Sequence, residues 1–143
     1  MSKLKFKKIT YTEYGEYMDN LTSKTDDFLK NYYPYKITKI LALSRGGLPL
    51  GTHLSNHLNI DLILTPEDYN KENPKQVLVV DDLCDSGETF DYYYYSLLCC
   101  LFIKPRRKLN PTIYLEELTN NTWVIFPWEQ FEEPNINKKY INI

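Results

Sequence analysis

Apolar residues along this chain alternate between two patterns. Over Tyr14 to Tyr32 they recur at helical spacing (Tyr14, Tyr17, Met18, Leu21, Phe28, Leu29), which predicts a helix that Pro34 stops. A short strand or lead-in over Ile9 to Tyr11 precedes it. Ile37 to Leu43 is instead a short apolar run, read as a strand, ending in the turn Ser44-Arg45-Gly46-Gly47; Leu48 to Leu58 then regains the helical period. Ile60 to Leu64 predicts a second strand, and Thr65 to Lys75 a polar loop with prolines at both ends. Gln76 to Val80 is a third strand, nearly all aliphatic, as expected when both faces of a parallel sheet are covered. Phe90 to Ser96 suggests a short helix and Leu97 to Ile103 another buried strand. Such alternation predicts an α/β fold with a doubly wound, mostly parallel sheet. At 143 residues the chain fits a single domain, 1–143, large enough to bury its own core. The Tyr92 to Tyr95 run reads as packing groups, because a helix would spread its rings around the circumference.

Charge and cysteine usage narrow the function classes. A formal net charge of -2 leaves no large positive field to hold nucleic acid or an anionic membrane surface. The basic start, Met1 to Lys8, is not followed by an apolar stretch of signal-peptide type, and no window approaches the roughly 20 apolar residues that span a bilayer. The three cysteines are an odd number, and Cys99 and Cys100 are adjacent, a poor geometry for a mutual bridge, so a reduced, cytoplasmic protein is the expectation. Cys84 has no cationic neighbour in sequence to activate it and reads as a packing group.

The chemistry concentrates where the third strand ends. Val77-Leu78-Val79-Val80 runs straight into Asp81-Asp82, and Asp85-Ser86-Gly87-Glu88-Thr89 follows. In open α/β sheets, ligands gather beyond the carboxyl ends of the strands. A turn of small residues leading into a helix presents unpaired N–H groups and a positive dipole end, a nest for phosphate. Asp81 and Asp82 would repel phosphate but suit ribose hydroxyls or Mg2+, which prefers oxygen ligands. The plain alternative is that Asp85 or Ser86 only caps a helix and that Asp81 and Asp82 are solvated. Two such turns in successive strand–helix units, one carrying Arg45 and the other a cluster of acids, argue against it.

These residues carry a resemblance. Val77 to Phe90 resembles the 5-phosphoribosyl diphosphate (PRPP) motif of the type I phosphoribosyltransferases, with Ser86 where the family usually has threonine. Ala42-Leu43-Ser44-Arg45-Gly46-Gly47-Leu48-Pro49-Leu50-Gly51 resembles the pyrophosphate loop of the bacterial xanthine-guanine enzymes, Lys104-Pro105 a Lys-Pro that follows the next strand, and Thr122 to Glu129 their purine-binding segment, with Glu129 for aspartate. The resemblance implies a type I phosphoribosyltransferase fold with a small hood formed by the terminal segments. It implies transfer of 5-phosphoribose from PRPP to a 6-oxopurine (guanine, xanthine or hypoxanthine), with Mg2+ as cofactor. Ser86, Gly87, Glu88 and Thr89 would then cradle the 5′-phosphate, Asp81 and Asp82 would meet the ribose hydroxyls and Mg2+, and Ser44, Arg45, Gly46 and Gly47 would receive pyrophosphate. Asp85 would take or share the purine's proton and Lys104 would donate to its 6-oxo group. Trp123 would stack on the ring, with the Val124 carbonyl and Glu129 accepting from the base. In relatives the peptide before the arginine is often strained or cis, and the proteins are dimers or tetramers.

Other features read more plainly. His53 and His57 are four apart on a predicted helix, a spacing that can clamp a metal, but with no third ligand near in sequence a surface or packing role is expected. Arg106-Arg107-Lys108 reads as a solvated basic cluster, with contact to pyrophosphate or a neighbouring subunit as the alternative. Trp128 reads as core and Tyr69 as a candidate for a flap's aromatic residue, in a 65–75 loop shorter than the family's mobile flap. A non-catalytic protein that binds PRPP or a nucleotide is the competing function, with Glu88 and the short loop in its favour. A receiver-type signalling domain would leave the Arg45 turn and the Trp123 segment unexplained.

Overall fold

A computed structural model of the chain describes residues 3–105 and 111–129. They fall into two compact units, Glu16–Asn120 and a smaller one made of Met1–Gly15 with Asn121–Ile143. The smaller unit is thus built from the terminal segments.

The larger unit holds a five-stranded sheet in the order β3-β2-β4-β5-β6, from β2 (Lys39–Ala42), β3 (Asp61–Ile63), β4 (Val77–Cys84), β5 (Leu97–Ile103) and β6 (Glu116–Glu117). Every pairing is parallel. In a parallel ladder, paired residues point to the same face. Ala42 pairs with Val80 and Val80 with Cys99, so these three share one face. Against it lie helix α2 (Leu48–Leu58), whose Gly51 approaches the Ala42 side chain, and helix α1 (Tyr11–Asn31), whose Thr25 hydroxyl is 3.8 Å from the Cys99 sulfur. Leu41, Val79 and Leu98 share the opposite face. They pack there with Tyr69 of α3 (Pro66–Asn70), Phe90 of α4 (Glu88–Asp91) and Tyr93. Helices on both faces make the sheet doubly wound, and they explain why all seven residues of β5 are buried without alternation.

Several elements depart from the sequence reading, each for a local reason. The 65–75 segment is not bare loop: Thr65 caps α3, accepting from the Asp68 N–H at 3.1 Å, with Pro66 and two acids in the first turn. A 3-10 turn, Pro74–Gln76, follows it. Tyr69 is buried and shares a 2.7 Å hydrogen bond with Ser96, so it is a core group and not a flap residue. The helix expected over 90–96 shrinks to the single turn of α4 because only Phe90 and Tyr93, three apart, reach the core. Tyr92, Tyr94 and Tyr95 are exposed, against the expectation that all four rings pack. β4 continues past Val80 through the acids to Cys84, held by pairing with β5. All three cysteines are buried and free.

In the smaller unit, β1 (Lys5–Lys8) pairs in parallel with β7 (Thr122–Ile125), Phe6 opposite Trp123. The strand therefore lies before the expected Ile9–Tyr11, where its distant partner supplies the hydrogen bonds. α1 begins at Tyr11 through a reciprocal cap: the Thr10 N–H donates to Glu13 Oε1 at 2.9 Å and the Glu13 N–H to Thr10 Oγ1 at 3.1 Å. Trp128 is 39 % exposed, stacked on Phe126 with ring centroids 5.2 Å apart, so it covers the core edge rather than joining the core.

Candidate functional site

The carboxyl ends of β2 and β4 are tied together. The Leu43 N–H donates to the Val80 carbonyl at 3.0 Å, which sets the 44–47 turn beside the first acid of β4. The turn closes on itself, with Gly47 N–H to Leu43 O at 2.8 Å and Leu48 N–H to Arg45 O at 3.1 Å, and the Ser44–Arg45 peptide is cis. Both glycines are required by close approach. A Cβ on Gly46 would lie 2.5 Å from Asp82 Cγ, 2.6 Å from Oδ1 and closer still to Oδ2; one on Gly47 would overlap the Val80 carbonyl oxygen. Arg45 is exposed, and no side chain caps the start of α2 at Gly47.

Asp81 and Asp82 are half-buried, not solvated strand-end charges. The Asp82 N–H donates to Asp81 Oδ1 at 2.8 Å. Burial, with the neighbouring Asp82 charge adding, pushes the Asp81 carboxyl up to about 8; burial raises Asp82 as well. Among the described residues neither acid has a cationic partner.

Next comes the second turn. Gly87 takes φ 86°, a left-handed conformation suited to glycine, and starts α4 without a side-chain cap. The Ser86 hydroxyl accepts from the Glu88 N–H at 3.2 Å, so it is turned toward its own backbone. Glu88 and Thr89 are exposed, and Asp85 is half-buried. Asp85, Ser86, Gly87 and Thr89 line a cleft of about 80 Å3, and Ser44 and Thr89 together line a cavity of about 330 Å3 walled by Leu64, Pro66, Tyr92 and Tyr93. Those hydrophobic walls went unread in the sequence: Leu64 ends the expected second strand, Pro66 lies in the segment taken for bare loop, and Tyr92 and Tyr93 lie in the one taken for a helix. A larger cavity, about 560 Å3, lies at the other end of β2 and β3 and contains none of the expected site residues.

Lys104 follows β5 and is buried, its N–H donating to the Cys84 carbonyl at 3.0 Å. In the smaller unit, Trp123 is half-buried and Val124 buried on β7. Glu129 Oε1 accepts from the Phe126 N–H at 2.9 Å, so one carboxylate oxygen serves its own turn. Arg106, Arg107 and Lys108 lie outside the described residues. His53 and His57 do have a third group nearby, Asp19 of α1, which sequence distance concealed. Burial, with His57 adding, holds the His53 ring below its ordinary proton affinity.

Comparison with known proteins gives this arrangement a class. A purine phosphoribosyltransferase from Pyrococcus horikoshii superposes with a TM-score of 0.70 at 22 % identity, covering 89 % of this chain and 96 % of that one, so the fold is that of the type I phosphoribosyltransferases. No protein-family model matches the sequence. The xanthine-guanine phosphoribosyltransferase of Gluconobacter oxydans is 31 % identical over 113 residues, 63 % of this chain and 67 % of that protein. The enzyme of the same name from Cereibacter sphaeroides is 27 % identical over 121 residues, 66 % of this chain and 72 % of that protein. The chain belongs to the family of the bacterial xanthine-guanine phosphoribosyltransferases.

Proposed function

We propose that this protein is a purine salvage phosphoribosyltransferase that moves 5-phosphoribose from PRPP to a 6-oxopurine, guanine, xanthine or hypoxanthine, and releases pyrophosphate. The observation that carries the reading is the meeting of the two glycine turns: Ser44 and Thr89 line one cavity, and Gly46 packs on Asp82. Two anion receptors side by side suit a ligand with phosphate at both ends.

The donor set fits Mg2+. Two adjacent half-buried carboxylates, each disfavoured as an anion by burial and lacking a protein cation among the described residues, offer the oxygen ligands that this ion takes. Asp81 and Asp82 would hold it, and when bound it neutralises charge on the leaving pyrophosphate. In this reading Arg45 and the Gly46 and Gly47 amides grip the pyrophosphate. The Gly87, Glu88 and Thr89 amides and the Thr89 hydroxyl hold the 5′-phosphate, with Ser86 bracing that loop through the Glu88 N–H. Asp85 accepts the purine's ring proton as its nitrogen attacks the anomeric carbon. Lys104 donates to the 6-oxo group, Trp123 stacks on the ring, and the Val124 carbonyl with the second oxygen of Glu129 accepts from the base. Catalysis is then alignment of two reactants and stabilisation of leaving-group charge. A single domain over 1–143, a homo-oligomer (dimer or tetramer) and a cytoplasmic setting without nucleic-acid or membrane partners complete the reading. Among the described residues, no helix is long and apolar enough to cross a membrane.

The test is nucleotide formation from PRPP and Mg2+ with each base separately. Turnover is expected with oxopurines and not with adenine or uracil, reduced about 10²- to 10⁴-fold in Asp85→Asn. PRPP binding without product would instead identify a non-catalytic binding protein on this fold.

A further inference from the structure

The two helices on the Ala42–Val80–Cys99 face of the sheet meet through three side chains that the transfer chemistry does not use. His53 and His57 project from α2, and Asp19 comes from α1. The imidazole rings stack with centroids 4.0 Å apart and planes within 22°. His53 Nε2 is buried, 3.3 Å from Asp19 Oδ1, yet not aligned to form a hydrogen bond. One nitrogen of each ring and one oxygen of Asp19 lie within 4.8 Å of one another.

We infer that Asp19, His53 and His57 form a binding site for a divalent transition metal ion of the zinc type, which clamps α1 to α2. The chemistry of the donors decides the class of ion. Two imidazoles and one carboxylate suit zinc and its neighbours, whereas magnesium takes oxygen ligands almost exclusively. Geometry agrees. Bonds of about 2.0–2.1 Å in a tetrahedron hold ligand atoms roughly 3.3 Å apart, a separation that the His53–Asp19 pair already has. Asp19 and His57 are exposed, so both can rotate inward to close the remaining distance, and a water completes the fourth position.

The tautomer of the second ring is already set. His57 Nδ1 lies 2.9 Å from the His53 carbonyl oxygen; donating its N–H there fixes the tautomer and leaves Nε2 with a lone pair, the arrangement metal-bound histidines favour. Meanwhile the buried Nε2 of His53 lacks a hydrogen bond that an ion would replace.

This site is separate from the proposed transfer site. His57 is nine residues beyond Leu48, roughly 13 Å along the axis of α2 from the end that carries the Arg45 turn. The inference stands whether or not the chain turns over PRPP.

It is tested by titrating the EDTA-stripped, full-length protein with ZnCl2 in a calorimeter, with CoCl2 as a spectroscopic probe and thermal melts alongside. One equivalent of zinc is expected, with a raised melting temperature and an intense visible Co2+ spectrum of tetrahedral type. Affinity should fall at least tenfold in Asp19→Asn and in both His57→Ala and His57→Gln, the last guarding against a packing defect. Asp81→Asn should bind zinc like the parent. Absence of zinc binding, binding unchanged in the Asp19 and His57 variants, or binding lost in Asp81→Asn would each overturn the proposal.

Discussion

Replacing Gly46 by alanine separates the site from the scaffold. The added Cβ would sit 2.5 Å from Asp82 Cγ, 2.6 Å from Oδ1 and closer still to Oδ2, and ordinary contact needs about 3.4 Å, so the carboxylate must retreat by roughly 1 Å. The obstacle is the far end of a short rotatable side chain, not backbone. Turning Asp82 off its preferred rotamer costs about 0.5–1.5 kcal/mol. Gly46 is not among the residues with positive φ, so alanine is tolerated by the backbone and recovers about 0.4–1 kcal/mol by restricting the unfolded chain. These terms nearly cancel, and the melting temperature should move by no more than about 4 °C. Catalysis should not be spared. A displacement near 1 Å in a group that aligns reactants can cost about 10²-fold, and kcat/KM for PRPP should drop by that order. Initial rates across PRPP concentrations at saturating base and Mg2+, with a thermal melt of the same sample, read both quantities. A variant that keeps kcat/KM within threefold of the parent would remove Asp82 from the machinery. One that melts more than about 10 °C lower would mean that the turn is chiefly structural.

Two further outcomes follow from packing and charge. In Gly51→Ala the new Cβ lies 2.6 Å from the Ala42 Cβ, which cannot swing aside, so α2 must lift from β2; overpacking of about 1–3 kcal/mol against a helix-propensity gain near 1 kcal/mol should lower the melting temperature, and kcat/KM with it because the Gly51 N–H donates to the Gly47 carbonyl of the Arg45 turn, and adding Ala42→Gly should restore both. Asp81→Asn should abolish PRPP turnover yet stabilise the metal-free protein at pH 7. Its carboxyl is raised to about 8 when folded against 3.8 ordinarily, so its contribution to stability is complete below about pH 4 and is lost as pH rises toward 8; denaturant melts across that window should lose this pH dependence in the variant.

How far the structure was legible depends on how far each element reaches for its partners. β5 and α2 match their expected limits, Leu97–Ile103 and Leu48–Leu58, because burial on both faces and a helical period are written within the segment itself. The acids of β4 and the two glycine turns were legible for the same reason: strand, small residues and helix are consecutive. β1 was not, since Lys-Phe-Lys-Lys becomes a strand only through pairing with Thr122–Ile125, more than a hundred residues away. Two short helices were missed for a different reason. The Thr65-Pro66 cap of α3 and the Asn73-Pro74 start of the 3-10 turn were present, but weak apolar periodicity hid both; the Thr10-x-x-Glu13 cap only moves the start of the expected α1 from Tyr14 to Tyr11. The third group beside His53 and His57 shows the consequence for function. Asp19 lies in a helix 34 positions earlier, as the numbering gives, and only the register Ala42–Val80–Cys99 brings α1 and α2 onto the same face. Local sequence therefore exposes chemistry built from one strand-turn-helix unit, whereas a site shared by two helices becomes visible only once sheet order has decided which helices are neighbours.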